Sequence, residues 1–375
     1  MSPDAVRMLG CTLSRIGEFN AMPLSSTTKR VLKNATFIYG SLLINQLSRA
    51  VYVIVLARYL GPDLYGLLSF GQAWYLVFLP IGLLGLGPVL ISAVGRNRVD
   101  GVLVAHRITA IRSLTLSVVA VLSAVLGWYT ADSETVGLLL MIFAFALVGR
   151  ACAMWADELF QAHESPRFSF RQDRLFRTAE VALGIIVALV TRDVVMVALS
   201  HAVVWLAQGG RGLYLVHRHV QPMVFLWEWP EIRLLLVAGI PMGLSAALEA
   251  FLIQGGIILY RAGGASDELV GNLGIILQAM VILATVFGAL ARAALPAISR
   301  SVDRGDSHHR LYLSGMIRIG FVFGTLAGIW AMAIGEDVLL FVLGSKYEPA
   351  AMGIRLMLWN LIPYIIMQAC IRSEE

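Results

Sequence analysis

The sequence predicts an all-α polytopic membrane protein, with about ten transmembrane helices in two pseudo-symmetric lobes. Three observations lead there. Of the 375 residues, 58% are hydrophobic and 14% charged, with a mean hydropathy of +0.77, whereas ordinary globular chains carry roughly 25% charged residues. The apolar residues gather into about ten runs long enough to cross a hydrocarbon core of about 30 Å as α-helices. A polar, proline-bearing stretch, "VHRHVQPMVFLWEWPEIR", interrupts them after the sixth run. The alternating pattern of an outer-membrane barrel is missing, and only helices or closed barrels satisfy their backbone polar groups inside lipid.

In chain order, residues 1–30 lack the apolar stretch of a secretory signal and are expected to form a disordered cytoplasmic tail. Met22, at the head of "MPLSSTTKR", would serve equally well as the start. Spans are predicted near 34–58, 64–94, 108–130, 135–156, 176–191 and 194–216, making a first six-helix lobe over 31–218. An inter-lobe linker follows at 219–232, where Pro222, Pro230, Trp227 and Trp229 suit a segment on the membrane surface. The second lobe, 233–375, holds about four helices, near 233–260, 269–295, 311–334 and 350–370. A weak echo relates the halves: "RYLGPDLYG" at 58–66 and "RAGGASDELVG" at 261–271 each place Arg, then Gly three residues on, then Asp, then Gly after the first span of a lobe.

Orientation follows from the cations. Lys29, Arg30 and Lys33 precede the first span, Arg96, Arg98 and Arg107 follow the second, Arg167, Arg171 and Arg174 follow the fourth, and Arg300, Arg304 and Arg310 follow the eighth. The alternate loops, "ADSE", "TRD" and "RAGGASDE", are poor in them. The positive-inside rule then places the N-terminus of this multi-pass membrane protein in the cytoplasm. The net charge of +5 is thereby a matter of topology, and no nucleic-acid partner is expected. Cys11, Cys152 and Cys370 are scattered, without metal-ligand or disulfide spacing.

Inside the spans, a few polar residues stand out. Ser41, Asn45, Ser48, Arg49 and Tyr52 share one side of the first helix, with Gln46 beside them. A cation near a bilayer centre costs at least about 2.5 to 3.5 kcal/mol. Arg49 must therefore either meet a partner on a neighbouring helix or face a water-filled cavity. In the sixth span His201, Trp205, Gln208 and Gly212 fall on one face with Arg211 adjacent, either lining a hydrated groove or, for Arg211, reaching to the interface. Glu249 in the seventh is a candidate for a coupling ion or for a pair with an arginine. Glu180 reads as a local partner of Arg177 near the membrane surface, and Arg167, Arg171, Arg174 and Arg177 as a face against lipid headgroups or phosphate-bearing lipid. Pro80, Pro88, Pro241, Pro296 and Pro363, with Gly82, Gly85 and Gly87, are candidate hinges or packing points. Hydrolase, P-loop, HExxH and DxD patterns are missing, and His308-His309 sit in a charged loop, so no enzyme chemistry and no cofactor are expected.

The run "NATFIYGSLLINQLSRAVYVIVLARYLGPDLYGLLSFGQAW", with "WADELFQAHESPRFSF", "GIPMGLSAALEAFLIQGGIILY", "RAALPAISR" and "EDVLLFVLGSKYEPAAMGIRLM" further on, resembles the lipid-linked oligosaccharide flippases. These form the polysaccharide-transporter branch of the multidrug/oligosaccharidyl-lipid/polysaccharide exporter superfamily. The resemblance implies two six-helix lobes around a cavity. They rock between inward and outward openings to move undecaprenyl-pyrophosphate-linked sugar repeats for polysaccharide biosynthesis. Partners on that reading are the lipid-linked oligosaccharide, membrane lipids, and a polysaccharide polymerase or export machinery. Arg49, helped by Asn45 and Gln46, would hold the diphosphate, while His201, Gln208 and Arg211 would line the first-lobe cavity. The family usually has twelve or more spans, against about ten here, which is why the second lobe is expected to be incomplete. The rivals are a cation-coupled multidrug exporter of the same superfamily, a membrane glycosyltransferase or polymerase acting on lipid-linked sugars, and a truncated scaffold that transports nothing.

Overall fold

The computed structural model describes residues 26–303 and 308–371, with side-chain surroundings for 36–285 and most of 314–366. Residues 1–25 of the expected tail, with Cys11 and Met22, lie outside the described residues, whereas 26–30 correct that expectation by opening the first helix; the side chains of Pro296, His308, His309 and Cys370 lie outside those whose surroundings are described. All regular structure among the described residues is helical. The first helix, α1 (Ser26–Leu83), is two runs joined at Gly61, whose φ of 77° and ψ of 172° no side-chain-bearing residue adopts without strain. Tyr52 and Tyr75 would stand about 35 Å apart on a straight helix. Both instead approach the ring of His201, at 6.4 and 6.0 Å between centroids, so the chain reverses at Gly61.

After a break at Leu84 and Gly85 come α2 (Gly87–Arg96), α3 (Arg98–Thr130), α4 (Glu134–Ala162), α5 (Arg167–Thr191) and α6 (Val194–His219). Three of these helices begin at side-chain caps that satisfy otherwise orphaned amides. Asn97 Oδ1 accepts from Val99 N, Ser133 Oγ from Val136 N and Asp193 Oδ1 from Val195 N, at 3.0, 3.3 and 2.8 Å. Residues 221–228 are non-helical, narrower than the expected 219–232 because Pro230 starts a helix well. Then follow α7 (Trp229–Ala262), α8 (Asp267–Asp303) and α9 (His308–Leu343). A 3₁₀ turn (Ser345–Ala350), α10 (Ala351–Met357), a second 3₁₀ turn (Leu358–Asn360) and α11 (Leu361–Ile371) complete the chain.

Among the described residues, eight stretches are long and apolar enough to cross a membrane. Two facts account for the difference from the ten expected runs. Thr36–Arg96 is counted as one stretch although it turns back at Gly61, and α5 is too polar over its first half, where Arg167, Arg171, Asp173, Arg174, Arg177 and Glu180 lie. Large apolar side chains such as Leu43, Leu47, Val121, Phe145, Leu252 and Phe341 point outward, as suits a lipid-facing surface, because lipid gives no reason to hide them.

Packing is closest between α4 and α6, and the first run of α1 lies against α5. Leu56, Leu139, Phe143, Leu147, Val197 and Ala198 lie at the heart of that group. The second run of α1 also packs along α8, and the contact is backbone on backbone. A Cβ on Gly66 would fall on the carbonyl of Asp267, and one on Gly271 on that of Pro62. The two echoing segments of the sequence therefore lie face to face. Around them Arg58 donates to the carbonyls of Phe341 and Val342 at 3.3 and 3.1 Å, Tyr347 donates to Ala57 O at 2.9 Å, and Arg261 bridges Asp132 at 2.8 Å and pairs with Asp267. At the other end of the bundle Arg107 of α3 pairs with Glu228 and Glu231, at the start of α7, and His106 Nε2 lies 3.0 Å from Pro222 O.

Candidate functional site

Between α1, α4, α5, α6 and α8 lies a cavity of about 350 Å³. The polar stripe of α1 turns into it: Asn45, Gln46, Ser48, Arg49 and Tyr52 all line it. Arg49 faces the cavity and also meets a partner on a neighbouring helix, which among the described residues is an amide and not a carboxylate. Its Nε and Nη2 both donate to Gln278 Oε1 of α8, at 3.0 and 2.6 Å. From α6 come His201, Trp205 and Gln208.

Arg211 is a correction. It is exposed, with its guanidinium 5.9 Å from the Phe176 ring, and does not line the cavity. His201, Trp205, Gln208 and Gly212 occupy an arc of α6, and Arg211 falls about 90° round the helix from the middle of that arc. Glu249 is elsewhere too. It borders a separate cavity of about 470 Å³ between α7, α8 and α11, with Ser245, Met280, Asn360 and Tyr364.

Five charged side chains that the sequence reading left out or placed at the surface belong to the cavity. Arg150 and Asp157 of α4 line it, seven residues apart on one face, as do Asp173 and Arg177 of α5. The signal for Arg150 was available: a lone cation in "ALVGRACAMW" is as costly in lipid as Arg49. Glu180, expected in a local surface pair, is buried together with Arg177. The headgroup-facing arginines reduce to Arg167, Arg171 and Arg174, which are exposed. Asn45, Gln46, Arg49, His201 and Gln208 thus share one space, which holds three guanidiniums and three carboxyl groups.

These groups form a continuous chain of contacts. Arg150 Nη1 donates to the Tyr75 hydroxyl at 2.8 Å. That hydroxyl is 3.3 Å from His201 Nε2, so its own proton is free to go there. This leaves the proton of His201 on Nδ1, 2.7 Å from Glu180 Oε1. Glu180 also accepts from Arg177 Nη1; Arg177 Nη2 donates to Gln208 Oε1, and Gln208 Nε2 to Asp173 Oδ1 at 3.3 Å. Trp205 lies between two of the cations, with the Arg177 and Arg150 guanidiniums 3.7 and 4.9 Å from its ring. Among the described residues Arg177 is the cavity arginine with a carboxylate partner. Arg49 and Arg150 have none within 4.0 Å, which leaves two positive charges turned to an internal space.

Residues 31–302 match the family described as "Polysaccharide biosynthesis protein". No curated protein matches the sequence. Among solved structures, the chain is similar to an inward-facing multidrug resistance MATE family transporter of the MOP superfamily: 14% identical, TM-score 0.67, over 90% of this chain and 85% of that one. It is also similar to the MATE multidrug transporter DinF-BH, at 13% identity and TM-score 0.58, over 92% of this chain and 86% of the other. A eukaryotic MATE transporter is 16% identical with a TM-score of 0.53, over 92% and 84%.

Proposed function

Because the chain belongs to the polysaccharide biosynthesis protein family, we propose that it moves lipid-linked oligosaccharide across the bacterial inner membrane by alternating access. The cargo would be an undecaprenyl-diphosphate-linked repeat unit. The observation that carries this reading is the pair Arg49 and Arg150, which face one cavity without a carboxylate partner among the described residues. A guanidinium matches phosphate oxygens in geometry as well as charge. In a space shielded from bulk water its pull on an anion exceeds what it would be at a surface. Translocation makes and breaks no covalent bond, so the site needs to hold and release and nothing more. Its polar lining would carry a headgroup past the hydrocarbon core while the polyprenyl tail stays in lipid.

The test is flipping of a fluorescent undecaprenyl-diphosphate glycoside in vesicles reconstituted with the purified protein. Arg49→Ala and Arg150→Ala should each lower the rate at least tenfold, about 1.4 kcal/mol per decade. Normal rate and apparent affinity in both would refute the diphosphate role. Glu249 is the proposed coupling-ion residue of the other cavity. Glu249→Gln should flatten the pH or sodium dependence of flipping, and an unchanged dependence would remove that role.

A multidrug exporter is the second reading, favoured by the three carboxyl groups of the cavity and by the likeness in fold to MATE transporters. Efflux of a cationic dye from the same vesicles, without flipping, would select it.

A further inference from the structure

The cavity is layered. Arg150 and Asp157, Glu180 and Asp173, and His201 and Gln208 are three pairs, each seven residues apart on its own helix, a rise of about 10 Å. In each pair the first member belongs to one layer and the second to the other. The contacts confirm the sorting: Arg150, Tyr75, His201 and Glu180 connect among themselves, while Gln208 reaches Asp173. Asp157 and Asp173 line the same cavity, as does Asn45 of α1. Arg177 and Trp205 stand between the layers. Arg150, without an acid partner among the described residues, is thus set apart from two aspartates whose layer also holds the carboxamide of Gln208.

Resting on the flippase reading, we propose that the Asp157–Asp173 layer is a sugar-hydroxyl subsite. It would recognise the first monosaccharide of the lipid-linked chain, while Arg49 and Arg150 hold the diphosphate. Carboxylates accept hydrogen bonds from hydroxyl groups strongly, and carboxamides both donate and accept, which is the complement that a polyol requires. An anion would be repelled from the aspartates and drawn to the arginine layer, which fixes the direction in which the headgroup enters. The space of about 350 Å³ lies at the small end of ligand cavities. It accommodates a diphosphate with its root sugar and leaves the outer sugars of a repeat unit beyond the aspartates.

The experiment measures binding, to the purified full chain in nanodiscs, of two probes: bare undecaprenyl diphosphate and undecaprenyl diphosphate carrying one N-acetylhexosamine. Asp157→Asn and Asp173→Asn should weaken the glycosylated probe about tenfold or more and leave the bare lipid within about twofold. Asn45, which the resemblance would assign to the diphosphate, is placed by this proposal with the aspartates that line the same cavity; Asn45→Ala should then show the same selectivity more weakly and serves if either aspartate variant fails to fold. Equal losses for both probes would make the aspartates structural and overturn the subsite. So would a change in sodium or pH dependence with sugar discrimination intact, which marks a cation site. Arg49→Gln should weaken both probes alike. If it weakens neither, the diphosphate reading fails independently of the sugar subsite.

Discussion

Two arginines inside the bundle have opposite fates, and the difference separates structure from function. Arg112 of α3 has 1% of its side chain exposed and forms a 2.5 Å ion pair with Glu158. Arg150 of α4 donates to a tyrosine hydroxyl and faces the cavity. Removing one partner of a buried ion pair strands the other charge, whereas Arg150 has no carboxylate partner among the described residues to strand when an apolar side chain of similar volume replaces it. Glu158→Gln should therefore lower stability by about 2 to 4 kcal/mol, read as a fall in melting temperature in detergent, a loss that an exposed surface pair would not produce. Arg150→Met should melt within about 1 kcal/mol of the parent and yet fail to flip. At this scale the sequence was half legible. Arg49 announced itself because its neighbours are apolar and its companions fall on one helix face. Arg177 and Glu180 misled because an i, i+3 pair looks the same whether it lies in solvent or in a cleft. Periodicity tells which residues share a face and not what that face meets.

The helices themselves were written in the apolar runs, and their joints less so. The reversal inside α1 depends on Gly61 at φ 77°, a conformation that costs a side-chain-bearing residue about 1 to 2 kcal/mol. Gly61→Ala should destabilise the fold by about that amount and shift the melting transition down by a few degrees. A larger effect is expected at Gly271, where any Cβ meets backbone. The apolar run of α5 begins late, so its charged first half read as a face against lipid headgroups just before the span. Its depth in the bundle comes from packing against α1 and α6, information that no single segment contains. For the same reason the echo between 58–66 and 261–271 was visible as letters, while their contact was not.

At the scale of the whole molecule, the seam around Gly66 and Gly271 is closed by main-chain contact, by Arg58 and Tyr347, and by the Arg261–Asp132 bridge. Alternating access, as proposed, requires these contacts to part. A Cβ on Gly274 would lie 2.9 Å from that of Ser69, near enough for a disulfide after a small backbone shift. Ser69→Cys with Gly274→Cys, in a chain whose native cysteines are replaced by serine, should stop flipping on oxidation and recover on reduction. Undiminished flipping in the oxidised form would show that this seam need not open.

Gln278 gives the cavity a further property. Its carbonyl oxygen takes two hydrogen bonds from Arg49 and so fastens α8 to α1 through the very group that an incoming phosphate would claim. Bonds to a charged donor are worth about 1.5 to 3 kcal/mol each at most, and they are surrendered when a stronger acceptor arrives. Cargo would thus unlock the door by occupying the bolt, and a vacant protein would stay shut without any separate sensor.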